Sequence, residues 1–498
     1  MGEAKKPLFE PEFNRSIKVQ GGDDRLTSDA GVLLLREADH RLGLIESLAA
    51  ELHDVRNPDL VRYDLAELLR QRIYSLALGY SAQDDQDRLA HDPALRMATW
   101  DRPGEEVLEQ RLASQPTHSR LIDMLAHDRH NLETLRGALG DWSERHLRAS
   151  SDHAVRQGTI DIDSFPNEVH GQQQGAAYNG YFKAVVYHPI VASFSVAGDY
   201  DSGRQGLRLG NGFIHGMLRR GECHTAEGIL RFLDHVLKIA PRLAYQFDLR
   251  LDAGFTSGHV LDYLTRRNVR FLGRLKSNPV LDAMAEPHIS RPPGRPPREG
   301  YEYVVELGEY QAQSWEFPQR VLLVVVDRPD PKSGQLFLEP DYFFLVTNHD
   351  EQQKDGEACV EHYRRRGTFE DRLGEFNQAL GTQLSSPEFH ENEATFLLCL
   401  LALNLVNMLR IELEHSVGGC WDLKRFNNYV LKAGGRVAKH SRRLIVHLAE
   451  SVVKFWGRLV ESISSWRRVP RFPQVRGPTS HGWRPPPRHA HLSEVLRD

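Results

Sequence analysis

Cysteine is scarce in this chain, with four in 498 residues. Cys223, Cys359, Cys399 and Cys420 are widely spaced and form no CxxC pair. That argues against a zinc ribbon or a disulfide framework and fits a reducing compartment. Long apolar runs are missing too. None approaches the roughly 18–20 residues that span a bilayer. The strongest, Ala394 to Met408, has Glu393, Asn404 and Asn407 in or beside it and reads as a buried helix. The opening MGEAKKPLFEPEF has no apolar h-region, so no secretory signal is expected. No GxxxxGK[ST] loop and no GxSxG elbow occur, which leaves ATP-driven chemistry and acyl transfer without support. The stretch Gly210 to Gly216 fails the GxGxxG spacing of a dinucleotide site. The pairs His127/His130 and His489/His491 have no partners at zinc-site spacing.

What the chain does contain is an ordinary globular mix, 40% hydrophobic and 26% charged. Its length predicts two to four domains. The net charge of −5 does not announce nucleic acid, but its distribution is uneven. From Ser416 to Asp498 there are 16 Lys+Arg against 5 Asp+Glu, so the negative excess lies elsewhere. A basic tail on an acidic body suits DNA contact, and equally a solvated tail.

Periodicity divides the chain. Residues 26–150 read as helical, with helices over Ala30–Leu48 and Asp64–Leu78. From about Gly158 strands alternate with helices. Thr159–Ser164, Phe247–Leu251, Val269–Leu275 and Tyr342–Thr347 read as strands, and Tyr181–Val196 as two strands turning near His188-Pro189. Thr225–Ile239 and Ser257–Arg267 read as helices, and Ser202–Gly216 as a glycine-rich connection. This alternation predicts an α/β architecture. Residues 277–340 carry proline-rich turns and strand-like stretches, a β-rich insertion. Long helices are expected at 356–380 and 391–413, and a Pro/Arg-rich disordered tail from Arg467.

Three carboxylates emerge as candidates. Asp161 and Asp163 point to one face of their strand. An acid at the end of a central strand is costly to bury unless it is paired or binds metal. Asp252 likewise ends Phe247–Leu251, where α/β sheets build their sites. Taken alone, each also reads as a turn residue. On the 356–380 helix, a 100° advance per residue sets Tyr363, Arg366, Glu370 and Asn377 in one stripe beside Phe369, Leu373, Phe376 and Leu380. Asp371 and Glu375 fall on the wet side. Glu370 therefore borders the core, although an Arg366–Glu370 surface pair gives the same pattern. Asp, Asp and Glu on separate elements can hold two divalent ions for in-line phosphoryl transfer.

These residues resemble the DDE transposases of bacterial insertion sequences, and within them the thirteen-eighty family. The resemblance runs through Leu26-Thr27-Ser28-Asp29-Ala30-Gly31, Arg88 to Arg96, Leu112 to Thr117, Asp161-Ile162-Asp163-Ser164, His170 to Ala176, Tyr178-Asn179-Gly180-Tyr181, Asp252-Ala253-Gly254-Phe255, the Tyr363, Arg366, Glu370 spacing, and Gly435-Arg436-Val437 with His440-Ser441-Arg442-Arg443. It implies an RNase H-like catalytic core (151–276 and 341–415) interrupted by the β-rich insertion (277–340). A helical N-terminal DNA-binding and dimerisation region (1–150), a helical basic C-terminal region (416–466) and the tail (467–498) complete the plan. It implies Asp163, Asp252 and Glu370 as catalytic metal ligands for two Mg²⁺ ions, with Mn²⁺ as substitute. Asp163 is preferred over Asp161 because the family's catalytic Asp precedes a small hydroxyl residue, here Ser164. Tyr363 and Arg366 would position DNA. Trp315 would stack on a flipped base, or pack within the insertion. Asn377 stands where the family usually has lysine, so that contact would be uncharged. The implied function is cut-and-paste transposition by a homodimer on terminal inverted repeats and target DNA, in a cytoplasmic, nucleoid-associated setting without a membrane partner. A weakened or domesticated DNA-binding descendant is the alternative.

Overall fold

The computed structural model describes residues 25–468 except 103, 152–154, 197–211, 292–299, 330–338, 378–383, 420 and 442, together with 12 and 16. Leu380, Cys420 and the tail from 469 lie outside the described residues.

An eight-stranded mixed sheet organises the molecule. Its strands are β1 (Gln157–Ser164), β2 (Ile190–Val196), β3 (Gly212–Met217), β4 (Gln246–Leu251), β5 (Arg270–Leu275), β6 (Tyr301–Tyr310), β7 (Gln319–Asp327) and β8 (Asp341–Thr347). They lie in the order β6-β7-β8-β5-β4-β1-β2-β3. β1 runs parallel to β4, and β4 to β5; the other pairings are antiparallel. Parallel neighbours need crossovers. The segments between β3 and β4 and between β4 and β5 carry α2 (Ile229–Leu243) and α3 (Gly258–Arg266), which follow α1 (Arg129–Ser150) in the chain.

Side-chain alternation gives the sheet two different faces. Ile160, Ile162, Leu249 and Leu251 turn one way and are buried with Phe232 and Val236 of α2 and Val260 and Leu261 of α3. Toward β6 the opposite face is apolar, with Leu272, Leu322, Val324 and Leu345 under Cys359 and Val360 of α4 (Gly356–Arg364). Around β1 and β4 that face carries Asp161, Asp163, Asp248, Arg250 and Asp252.

The strands at 301–310 and 319–327 continue the main sheet. β8 pairs with both β7 and β5, so the strands within 277–340 extend the main sheet at its outer edge. The glycine-rich connection also differs, because its residues 212–216 lie in β3.

The expected helix over 356–380 is two helices, α4 and α5 (Gly367–Glu375). Arg365 and Arg366 stay helical in their dihedrals, with φ −63° for each, but Arg366 N–H bonds Tyr363 O, a tight turn three residues back. The helical phase is little disturbed. Phe369, Leu373 and Phe376 are buried as the stripe predicts.

The helix α6 (Phe389–Val417) is buried around its circumference from Asn392 to Leu413. By length and composition it is apolar enough to cross a membrane, yet its apolar window is wholly enclosed by protein. Val32–Leu42, Leu65–Ala77, Gln115–His127 and α1 share its core, together with Trp421, Leu459 and Ile463 from the C-terminal part. The expected helix over Ala30–Leu48 breaks at Gly43, whose φ of 62° favours glycine. Leu65–Ala77 starts at an Asp64–Glu67 capping box.

Early and late segments of the described residues meet in a small sheet of Leu26–Thr27, Gly435–His440 and Arg443–Leu448. The last two strands correct the all-helical expectation for 416–466 and contain the Gly435 to Arg443 motif. Gly31 explains part of the opening motif: a Cβ there would lie 2.2 Å from the Leu431 Cα, so only glycine allows the backbones to meet.

Candidate active site

Parallel register brings the two aspartates together. Ile162 lies opposite Leu251 in the β1–β4 pair, and each aspartate is the next residue. Asp163 is 17% exposed in its side chain, and its carboxylate accepts from the Ser164 N–H at 2.7 Å. Burial pushes its pKa up to about 6. Arg366 and the Ser164 amide work against that rise, while the charge of Asp252 adds to it. The two acids are thus electrostatic neighbours.

α5 brings the third acid. Phe369 and Phe376 meet Phe213 of β3 edge-on, and Phe376 also meets Phe165. Beyond them Glu375 pairs with Arg410 of α6 at 2.7 Å. This docking fixes Arg366 at the start of α5. Its Nη2 donates to Asp163 Oδ2 at 2.6 Å, and its Nη1 to Glu370 Oε1. The Arg366 side chain is 5% exposed. Burial would lower its pKa, but Asp163, Tyr363, Asp252 and Glu370 together raise it above the usual arginine value. Asp163 and Glu370, 207 positions apart in sequence, therefore share one buried guanidinium. An isolated surface pair on one helix would not do this.

Glu370 differs from expectation in one respect. Its side chain is 59% exposed, so it leans out over the site and does not border the core. Asp163 and Glu370 are gathered around Arg366, and the three carboxylates are not closed on one point. Among the described residues, the only group of three or more ligands whose donor atoms all fall within 4.8 Å is Asp123, His127 and Glu391, in the helical layer.

Asp161 has a different environment. It forms a two-pronged pair with Arg250 on β4, with 2.7 Å at both Nε and Nη2, and both residues are buried. Arg250 Nη1 also donates to His362 O at 2.7 Å, tying α4 to the sheet. Asp248, one step deeper on the same face, meets Lys354 at 2.9 Å and His349 at 3.4 Å. Burial alone would push the Asp248 carboxyl up, yet the His349 hydrogen bond and the Lys354 charge hold it well below the usual range. Burial, with Lys354 and Arg250 nearby, brings the His362 pKa down to about 3. The Asp161–Arg250 and Asp248–Lys354 pairs anchor α4, leaving Asp163 at the open end of the face.

The family described as Transposase DDE domain group 1 matches residues 9–464. The chain belongs to the DDE transposase family. It is a DNA transposase, and the family implies a DNA-cleaving, metal-dependent enzyme. Comparison with curated proteins gives no match. Among solved structures, a piggyBac transposase synaptic complex with hairpin DNA is similar, with a TM-score of 0.39 and 12% identity over 92% of this chain and 88% of that one. That likeness is too loose to carry a residue-by-residue correspondence.

The remaining candidates of this transposase fall unevenly. Tyr363 is half-buried at the site, its pKa pushed up to about 12 by burial and by Asp252 and Glu370, against the effect of Arg366 and Arg274. Arg274, which the sequence reading missed, is exposed near the end of β5 with its guanidinium 5.1 Å from the Phe343 ring centre. The packing of Tyr363 against the small core that includes Leu272 of β5 brings Arg274 near it. Asn377 is exposed just beyond α5. Trp315 lies elsewhere, 9% exposed, edge-on to Tyr310 at 5.4 Å and close against Gly258 of α3. It is a core aromatic on the far face, and stacking on a base would require it to leave that core.

The donor set suits a hard divalent cation: three carboxylates on three elements, one of them desolvated and unfavourably charged beside another. Arg366 is the positive charge that balances them here.

Proposed function

We propose that this DDE transposase acts by cut-and-paste, cleaving at terminal inverted repeats and joining the freed ends to target DNA, with Asp163, Asp252 and Glu370 as its metal-binding triad. The observation that carries the reading is the Arg366 guanidinium shared by Asp163, at a strand end beside that of Asp252, and by Glu370 on the docked helix. The strand order supports an RNase H-like core: β3-β2-β1-β4-β5 has the first three strands antiparallel and the last two parallel to the first. The motifs from Asp29 to Arg443 favour the thirteen-eighty family.

Asp163, Asp252 and Glu370 would hold two Mg²⁺ ions, which when bound stabilise the attacking and leaving oxygens of an in-line displacement. The chain's own groups do the positioning. Arg366 and Tyr363 present donors beside the acids, suited to a phosphate oxygen of the scissile strand. Arg274 adds a cation at the rim. A homodimer bringing two ends together is the assembly this chemistry requires.

Asp163→Asn, Asp252→Asn and Glu370→Gln are expected each to abolish Mg²⁺-dependent cleavage of a duplex carrying the inverted repeat while binding to it persists. Full cleavage by any one removes that residue from the triad.

Asn377 favours a second reading, a transposase with weakened end contact. Restoring the charge with Asn377→Lys is expected to steepen the salt dependence of end binding by about one unit in the log–log slope. An unchanged slope would dismiss it.

A further inference from the structure

Away from the acids, the N-terminal helical layer holds a groove of about 660 Å³. It lies between the segment around residues 56–63 and the start of the helix Gln115–His127. Arg56, Arg62, Arg111 and Arg120 line it, and among its described lining residues there is no Asp or Glu. This is unexpected in a body that carries the chain's negative excess. Arg56 is already paired, with its Nε 2.8 Å from Asp54 Oδ1 and its Nη1 donating to Tyr63 O at 2.9 Å. Arg62 lies over the Tyr63 ring at 5.3 Å. Arg62, Arg111 and Arg120 are exposed, and none has a carboxylate partner among the described residues.

The groove is held in shape. Tyr63 Oη donates to Arg111 O at 2.9 Å, joining its two walls, and Leu68, Leu112 and Leu121 form a buried floor. Ser114, at the cap position of Gln115–His127, makes no side-chain capping bond, so its hydroxyl remains available on the groove wall. Helix N-termini favour anions.

We infer that this groove is a second DNA-contact site, in which Arg62, Arg111 and Arg120 bind successive phosphates of duplex DNA. The inference rests on the transposase reading for the nature of the polyanion. A small free anion is a poor occupant. Exposed guanidinium–phosphate contacts are individually weak in water, and they gain most when one polymer meets several at once and releases its counterions.

The test uses the full chain and a duplex carrying the inverted repeat, with binding followed by fluorescence anisotropy across a salt series. Each phosphate contact contributes about 0.9 to the log–log salt slope. The variant R62Q/R111Q/R120Q is therefore expected to lose between two and three units of slope. Between about 50 and 200 mM salt, wild type should lose roughly 40-fold more affinity than the variant. Arg266→Gln, at an exposed arginine paired with Glu316 away from both sites, should keep the wild-type slope, which separates this groove from a general loss of positive charge. If the triple variant does not fold, the three single Arg→Gln variants, each at an exposed side chain, should each lose about one unit. An unchanged slope overturns the inference, even if metal-dependent cleavage confirms the triad. A loss of heparin binding without a loss of DNA binding overturns it as well.

Discussion

Replacing Asp163 by Asn should stabilise the folded chain while removing its chemistry. Burial holds this carboxyl at about 6, against 3.8 for an ordinary aspartate. A folded-state pKa raised in this way means that the protonated form is favoured by folding. The stability that proton supplies is complete below about pH 4 and is lost as pH rises through about 6. At about 1.4 kcal/mol per pH unit, ionised Asp163 costs on the order of 3 kcal/mol at pH 7.5. Its partial exposure and its pairing with Arg366 reduce that figure, so about 1–3 kcal/mol is expected. Asn keeps the shape and one acceptor oxygen for Arg366, and it removes the charge. Urea unfolding of Asp163→Asn and wild type, both in chelator, should show the variant more stable by that amount at pH 7.5 and equal at pH 4. A variant less stable at pH 7.5, or a gain of the same size at both pH values, would refute the argument that desolvated charge is stored at this position.

Asp161→Asn leaves Arg250 buried with half its pairing gone, so a loss of about 3–5 kcal/mol is expected in the same unfolding assay. A loss under about 1 kcal/mol would show that this pair does not anchor α4. Trp315→Ala removes a core aromatic and should cost about 3–5 kcal/mol. At temperatures where it remains folded, its cleavage of end DNA should match wild type; a selective cleavage defect would return Trp315 to the DNA.

Local pattern reached the strands well. Asp341–Thr347 and Gln246–Leu251 lie within a residue of where alternation placed them, and His188-Pro189 is the turn between two strands. The buried stripe of Phe369, Leu373 and Phe376 followed from phase alone. What could not be read was long-range pairing. Asp161 and Asp163 are equivalent by alternation, and only Arg250, 89 residues on, separates the structural acid from the open one. The outer strands were visible as strands, but their place in the main sheet depends on β8 pairing on both sides. Glu370 was assigned to the core border because phase gives direction and not depth. The C-terminal hairpin was missed because part of its pairing is with Leu26–Thr27, far away in sequence. Arg274 carried no motif weight until Tyr363 was packed against the core of β5.

α6 also sets a timetable for synthesis. The helices Val32–Leu42, Leu65–Ala77 and Gln115–His127 bury apolar faces against residues 389–417. At about 5–20 residues per second, they leave the ribosome on the order of 15–50 s before their partner exists. During that interval their leucine-rich surfaces are open to chaperones or to each other. A chain stopped short of residue 389 is therefore expected to be a partly collapsed fragment and not a free-standing N-terminal domain.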